Sequence, residues 1–213
     1  MARPRKYDDD ALLESLRATF FELGPGASSQ ELAKRAGVSE GTLFKRFGTK
    51  RKLFQQAMRM PALEEQVWME SMPLRVGKGS LEGQIADLAL ALMGYISEII
   101  PIMQTVMSSG KLKPQDLRSV VGDEDVPPDI VRDRFATYFR GEIAEGRMRP
   151  CDAHTLADFV VGACLKHVHL LHHFGELPNG DTLEQASRRF ARSVVELAGV
   201  GRSGVDAESA RVR

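Results

Sequence analysis

The spacing of apolar residues constrains this chain most, because they recur every three or four positions along nearly its whole length. Leu81, Ile85, Leu88, Leu92 and Ile96 show this spacing over successive helical turns. Alternating apolar and polar residues between turn signals, the pattern of a half-buried strand, do not occur. The sequence therefore predicts an all-α fold of about nine helices.

Capping residues and glycines divide the N-terminal part into short helices. Each predicted helix starts at a residue whose side chain can accept a backbone N–H and stops at a glycine or proline. The predicted start and stop pairs are Asp8 and Gly24, Ser28 and Gly37, Ser39 and Gly48, and Thr49 and Pro61. Further along, Pro101 is predicted to begin a separate short helix, and residues 110–128 are predicted to be a polar connection.

Residues 32–47 have the spacing of a helix-turn-helix motif, in which a turn at Gly37 joins two short helices. Gly37 supplies the positive φ of the turn, and Ala33 and Gly41 are predicted to be small because the two helices cross there. Residues 1–60 carry 12 Lys and Arg against 7 Asp and Glu, whereas the remaining residues carry 17 against 22. This asymmetry favours a DNA-binding head on an acidic body.

The predicted third helix would lie in a major groove, with its N-terminal side facing the base edges. Residues around this helix would contact the phosphates of the DNA backbone. The predicted base contacts are Glu40, Gly41, Thr42 and Lys45, and the predicted phosphate contacts are Ser28, Ser39, Arg46 and Lys50. Other basic side chains either add contacts or form an ordinary solvated face: Lys34, Arg35, Arg51 and Lys52. Arg3, Arg5 and Lys6 form either a minor-groove arm or a short tail.

From Asp10 to Met58 the chain resembles the TetR family of bacterial transcriptional regulators, through residues 36–44 (AGVSEGTLF) and then Phe47, Lys50 and Leu53. The resemblance implies an Ω-shaped homodimer that binds a palindromic double-stranded operator and pairs through its last two helices. It also implies a three-helix DNA-binding domain at 1–55, an effector-binding and dimerisation domain at 56–200, and a flexible tail at 201–213. Phe44 stands where the family usually has a phosphate-contacting tyrosine.

Bulky residues on several predicted helices of the body form either an effector site or ordinary core. Thioethers and aromatic rings suit varied apolar ligands, so the expected effector is a largely apolar small molecule. The candidate effector-binding residues are Trp68, Met93, Met103, Met107, Phe135, Tyr138 and His167. No cofactor is expected.

A histidine-rich helix leaves a second interpretation open. His169 and His173 have the i,i+4 spacing that can hold a metal ion, and Cys164 and His167 lie one turn earlier. A metal- or redox-responsive regulator is therefore one alternative, and a DNA-binding protein without an effector is another. An enzyme is not expected, because the sequence contains no glycine-rich phosphate loop, nucleophile elbow or HExxH pattern.

The expected location is the cytoplasm. The basic start is followed by acidic residues rather than by an apolar signal segment, and two cysteines suit a reducing compartment. Glu82, Asp87 and Glu98 interrupt the most apolar stretch, so no membrane span is expected. The resemblance and the basic N-terminal part together predict a ligand-responsive, DNA-binding transcriptional regulator, and specifically a repressor that a small-molecule effector releases from its operator.

Overall fold

The computed structural model describes residues 8–108 and 127–198, and within these ranges the chain forms α-helices and short 3-10 turns without a strand. The all-α prediction is confirmed. The predicted connection at 110–128 lies almost wholly outside the described residues, as do the basic N-terminus and the tail. The described helices are α1 (Asp9–Leu23), α2 (Ser29–Arg35), α3 (Glu40–Phe47), α4 (Lys50–Met58), α5 (Val67–Ser71), α6 (Leu81–Ser108), α7 (Pro127–Ala144), α8 (Ala153–Phe174) and α9 (Leu183–Ala198).

These helices form two compact units. The head unit comprises the described residues of 8–62 and 98–108 together with Pro127, and the body unit comprises 63–97 and 128–198. The long helix α6 contributes residues to both. The expected boundary near residue 55 remains a prediction.

Side-chain caps begin the four helices of the head as the sequence predicts. Ser28 accepts the backbone N–H of Glu31 at 3.1 Å, and Asp8 and Thr49 cap α1 and α4 in the same way. The fourth helix was expected to reach Pro61, but α4 ends at Met58 because Arg59 adopts a left-handed φ of 54°. The N–H of Met60 then bonds to the carbonyl of Gln55 at 2.7 Å, which closes the last turn.

The helix expected to begin at Pro101 is not separate, because α6 is continuous from Leu81 to Ser108 with Pro101 inside it. An internal proline lacks an N–H and costs helix stability, but tertiary packing can compensate. Ile102, the next residue, packs against the buried core of the head. The apolar pattern therefore continues through the proline and holds the chain helical.

The segment Leu81–Gln104 of α6 is long and apolar enough to cross a membrane, and it is the single such candidate among the described residues. Ile85, Leu88 and Ala89 in this segment are nevertheless fully buried in the protein. A core helix of a soluble protein meets the same criteria of length and composition. Within the protein 44% of its most apolar window is buried, so packing accounts for part of its apolar character.

A buried ion pair ties α7 to the loop that precedes α6. The carboxylate of Glu142 has no solvent exposure and lies 3.1 Å from the guanidinium Nε of Arg147, while the N–H of Gly77 donates to its other oxygen at 3.3 Å. Arg147 in turn donates to the carbonyl of Gly79 at 2.9 Å. These bonds fix the entry to α6 within the body.

Removing Arg147 would leave the Glu142 carboxylate buried without its counter-ion. We expect Arg147→Ala to lower the free energy of unfolding by about 3 kcal/mol or more, because an uncompensated buried charge is strongly destabilising. Urea titration followed by circular dichroism measures this change. Arg188→Ala is the control, since its ion pair with Glu184 is exposed and contributes less than about 1 kcal/mol. Equal losses in the two variants would contradict the assignment.

Candidate nucleic-acid interface

The turn between α2 and α3 has the geometry that the sequence predicts for a helix-turn-helix. Gly37 has a φ of 69°, and the N–H of Val38 bonds back to the carbonyl of Ala33 at 3.0 Å. Ala33 is buried between the helices. The small side chain of Ala33 therefore lets the two helices pack closely, and the left-handed backbone of Gly37 forms the turn between them.

Helix α3 is buried on one side and exposed on the other. Leu43 and Phe47 lie in the core of the head, whereas Glu40, Gly41 and Lys45 are exposed. This arrangement presents the N-terminal side of α3 outwards, as binding in a major groove requires.

Gly41 does not lie where two helices cross, contrary to the sequence-based expectation. It is exposed, and a Cβ built there would meet nothing nearer than the Ser39 hydroxyl at 4.0 Å. The expectation was wrong because Gly41 faces away from α2, and Ala33 alone supplies the small residue at the contact. An exposed glycine allows close approach by another molecule.

The hydroxyl groups predicted to contact phosphates also cap the helices. Ser39 Oγ accepts the backbone N–H of Thr42 at 3.1 Å and lies 2.9 Å from Thr42 Oγ1. A hydroxyl that accepts from the backbone still has its own O–H to donate. Capping by Ser28 and Ser39 is therefore compatible with a phosphate contact, and Lys50 opens α4 as the sequence predicts.

Two ion pairs around the motif were not predicted. Arg46 lies 3.2 Å from Asp9 of α1, so its charge is partly offset within the protein. Arg35 forms a two-pronged pair with Glu22 and a further hydrogen bond to Glu31 at 3.0 Å, and these partners raise the pKa of Arg35. The i,i+4 spacing of Glu31 and Arg35 was a usable signal. Arg35 therefore anchors α2 to α1.

The candidate effector residues divide between the two units. In the body, Trp68, Met93, Phe135 and Tyr138 are buried. Met103, half-buried, and Met107, which is exposed, both lie in the head unit. The sequence therefore grouped side chains that belong to separate units.

Aromatic contacts connect several of the body candidates. Phe135 and Tyr138 both pack against Phe139, with ring centroids 6.1 and 5.6 Å apart. Trp68 packs edge-on against Tyr95 at 6.5 Å, a neighbour that the sequence did not single out. These residues form an apolar, aromatic part of the body.

The four residues of the metal or redox alternative do not form one group. Cys164 is buried with its Sγ 3.7 Å from the carbonyl of Ala89, and burial raises the pKa of its thiol to about 12. His167 is half-buried against the carbonyl of Ala163, whereas the exposed His169 and His173 pair with ring centroids 4.0 Å apart and ring planes tilted by 53°. Among residues 8–108 and 127–198, no three His, Cys, Asp or Glu side chains form a group that could hold a metal ion.

A helix-turn-helix with an exposed second helix is the arrangement that DNA-binding transcriptional regulators use. Comparison with known families agrees, since residues 12–57 match the family of bacterial regulatory proteins called the tetR family. Over these residues the chain is similar to the TetR family of bacterial transcriptional regulators.

Solved structures share the fold along nearly the whole chain. A protein from Mesorhizobium loti assigned to the TetR family is 20% identical, with a TM-score of 0.59 over 90% of this chain and 96% of its own. A TetR-family regulator from Streptomyces coelicolor is 19% identical, with a TM-score of 0.52 over 89% and 93%. NalD from Pseudomonas aeruginosa is 16% identical, with a TM-score of 0.52 over 91% and 95%. At these identities the likeness concerns the fold.

The contact between Asp9 and Arg46 predicts a gain of DNA affinity on mutation. Asp9→Asn removes the carboxylate that offsets Arg46, so we expect several-fold tighter binding to duplex DNA and a steeper dependence on salt. Fluorescence anisotropy with a labelled duplex at several salt concentrations measures both. Asp10→Asn is the matched control, because Asp10 is exposed in the same turn. An equal gain in both variants would show that the pair with Arg46 is irrelevant.

Proposed function

We propose that this protein is a homodimeric repressor that binds a palindromic operator and is released from it by a small, largely apolar effector. The exposed N-terminal side of α3 carries the proposal, because Glu40, Gly41 and Lys45 face outwards while Leu43 and Phe47 are buried. Thr42 is half-buried beside them. These four polar or small residues are the proposed base contacts, and the cytoplasm is the proposed location.

The proposed phosphate contacts surround that side. Ser28, Ser39 and Lys50 lie at the N-terminal ends of α2, α3 and α4, where backbone N–H groups add to the attraction for an anion. Arg46 lies in the last turn of α3 and contributes only its own charge. Phe44 is half-buried and lacks a hydroxyl, so it contributes packing rather than a phosphate bond. Such contacts fix the docking angle, and base contacts then provide sequence preference.

The spacing that a dimer must keep between its two recognition helices provides the proposed means of release from DNA. Two recognition helices must enter successive major grooves, about 34 to 36 Å apart for half-sites one turn apart. A hundredfold loss of affinity needs about 2.7 kcal/mol of coupling, which differential contacts with an effector can supply. NalD, which shares the fold, is the secondary repressor of a multidrug efflux pump, and this supports repression as the mode of action.

The buried aromatic residues of the body favour a small-molecule signal over the metal or redox alternative. Phe135 and Tyr138 share the neighbour Phe139, and Trp68 and Met93 are buried in the same unit. The Cys164 thiol, by contrast, is buried and stays protonated, which makes it a poor sensor of oxidants. The proposed effector therefore binds in the body.

Exposed apolar side chains on the last two helices support a dimer interface there. Phe159 and Phe174 of α8 are 66% and 72% exposed, and Leu197 of α9 is 81% exposed. Helices α8 and α9 also pack against each other. Apolar side chains left in solvent on two adjoining helices favour a second copy of the chain as their cover.

The proposed interface predicts that one carboxylate placed within it dissociates the dimer. We expect the wild-type protein to sediment as a dimer at micromolar concentration and Phe159→Asp to sediment as a monomer, because a carboxylate would be buried without a partner. Val67→Asp is the control, since Val67 is 77% exposed on α5 and lies on neither proposed helix. A dimer that survives Phe159→Asp but not Val67→Asp would place the interface elsewhere.

Selection of binding sites from random duplexes tests the regulator itself, and we expect enrichment of a palindromic pair of half-sites. On the selected duplex, Lys45→Ala should alter which bases are preferred, because Lys45 is exposed on α3. Lys50→Ala should instead weaken all sequences about equally and reduce the salt slope by about one. Anisotropy on the selected and mismatched duplexes separates the two. Failure to enrich any site would contradict the proposal.

A further inference from the structure

The side chain of Trp68 contains a buried donor that the described residues leave without an acceptor. Trp68 is 8% exposed, and its indole Nε1 is buried without a hydrogen-bond partner in the described part of the chain. An indole N–H can only donate. Buried donors in native proteins nearly always have a partner, and a donor without one calls for a water, an ion or a ligand.

A second buried donor lies in the same unit. Tyr138 is 1% exposed, and its hydroxyl has no hydrogen-bond partner within the described ranges. Burial and the neighbouring Glu142 carboxylate raise the pKa of Tyr138, so the phenol keeps its proton. The same carboxylate has an oxygen, Oε2, without a hydrogen-bond partner in this part of the chain, and it is placed to accept a hydrogen bond from Tyr138. The Tyr138 hydroxyl therefore has an acceptor within the protein, whereas the Trp68 N–H has none among the described residues.

The surroundings of Trp68 are apolar. Met69 and Met72 are buried on the segment that carries Trp68, and the ring of Tyr95 packs against it. A charged ligand would lose its hydration in such surroundings, whereas a neutral oxygen acceptor would gain a hydrogen bond at little desolvation cost.

We infer that the effector is an uncharged, largely apolar molecule with a carbonyl or ether oxygen, and that the indole N–H of Trp68 donates a hydrogen bond to this oxygen. This inference rests on the proposed function, because it assigns the chemistry of the effector that releases the repressor.

Two pairs of compounds test the inference on the full-length dimer: benzophenone against diphenylmethane, and cyclododecanone against cyclododecane. The members of each pair are similar in shape and differ by one carbonyl oxygen. Trp68 is the only tryptophan, so a change in its emission reports binding nearby. Thermal shift and calorimetry give the Kd for variants that lack this signal.

In the wild-type protein we expect at least one ketone to change Trp68 emission and to bind about tenfold more tightly than its hydrocarbon. In Trp68→Phe the ketone should lose this advantage while the hydrocarbon keeps a similar Kd. Tyr138→Phe is the control, because it keeps the fluorescent residue and removes a hydroxyl that has the Glu142 carboxylate beside it; there we expect an unchanged ketone preference. Where Trp68→Phe fails to fold, the comparison of each ketone with its hydrocarbon in the wild type still tests the inference. Both variants are checked by circular dichroism.

The inference is overturned if no ketone binds, if each hydrocarbon binds as tightly as its ketone, or if Trp68→Phe keeps the full ketone preference. Measuring operator affinity with and without each compound distinguishes failure of the Trp68 assignment from failure of the proposed function. A ketone that binds through Trp68 but leaves operator affinity unchanged supports the Trp68 assignment and refutes release by this class of ligand. A compound that releases the operator and binds Trp68→Phe as tightly as wild type refutes the assignment alone.

Discussion

Burial of one side of α3 is the constraint on which the DNA-binding surface depends. Leu43 and Phe47 enter a core built by Leu16 and Phe20 of α1 and by Phe54 of α4, and the rings of Phe20 and Phe54 meet edge to face at 5.0 Å. Each such side chain contributes roughly 1.5–3 kcal/mol when fully buried. Turning α3 over would expose these residues, so the same packing that stabilises the head keeps the basic and polar side outwards.

The buried polar groups of the body are of two kinds, those with a partner in the protein and those without one among the described residues. Glu142 receives the guanidinium of Arg147 and the backbone N–H of Gly77, which offset its charge and fix the loop before α6. Trp68 keeps a donor that the described chain does not satisfy. A protein that binds small molecules needs such incomplete sites, because a ligand gains affinity only from groups that the protein has not already paired. The contrast separates a structural polar site from a proposed binding site.

Most of the fold could be predicted from local signals in the sequence. The caps at Ser28, Ser39 and Thr49 and the left-handed Gly37 follow from short-range chemistry, and the structure has them where the sequence predicts. Pro101 shows the opposite case, because its local preference to interrupt a helix yields to the packing of Ile102. Long-range packing of this kind is invisible in the spacing of residues.

The candidate site was predictable to a lesser degree. Exposure of Lys45 follows from the helical period of Leu43 and Phe47, so the outward side of α3 could be deduced. The pair of Arg46 with Asp9 joins residues far apart in sequence, and no spacing rule reveals it. For the effector, composition identified Trp68 and Tyr138 as candidates. Only the three-dimensional structure shows that the buried N–H of Trp68 has no acceptor among the described residues.

Photo-crosslinking from α3 tests the central claim most directly. A benzoylphenylalanine placed at Thr42, and in a separate protein at the exposed Arg188 of α9, is irradiated with a duplex selected for binding. The account predicts crosslinks from position 42 to bases within each half-site and none from position 188. Crosslinks from position 188 alone, or none from position 42 to a bound duplex, would contradict it.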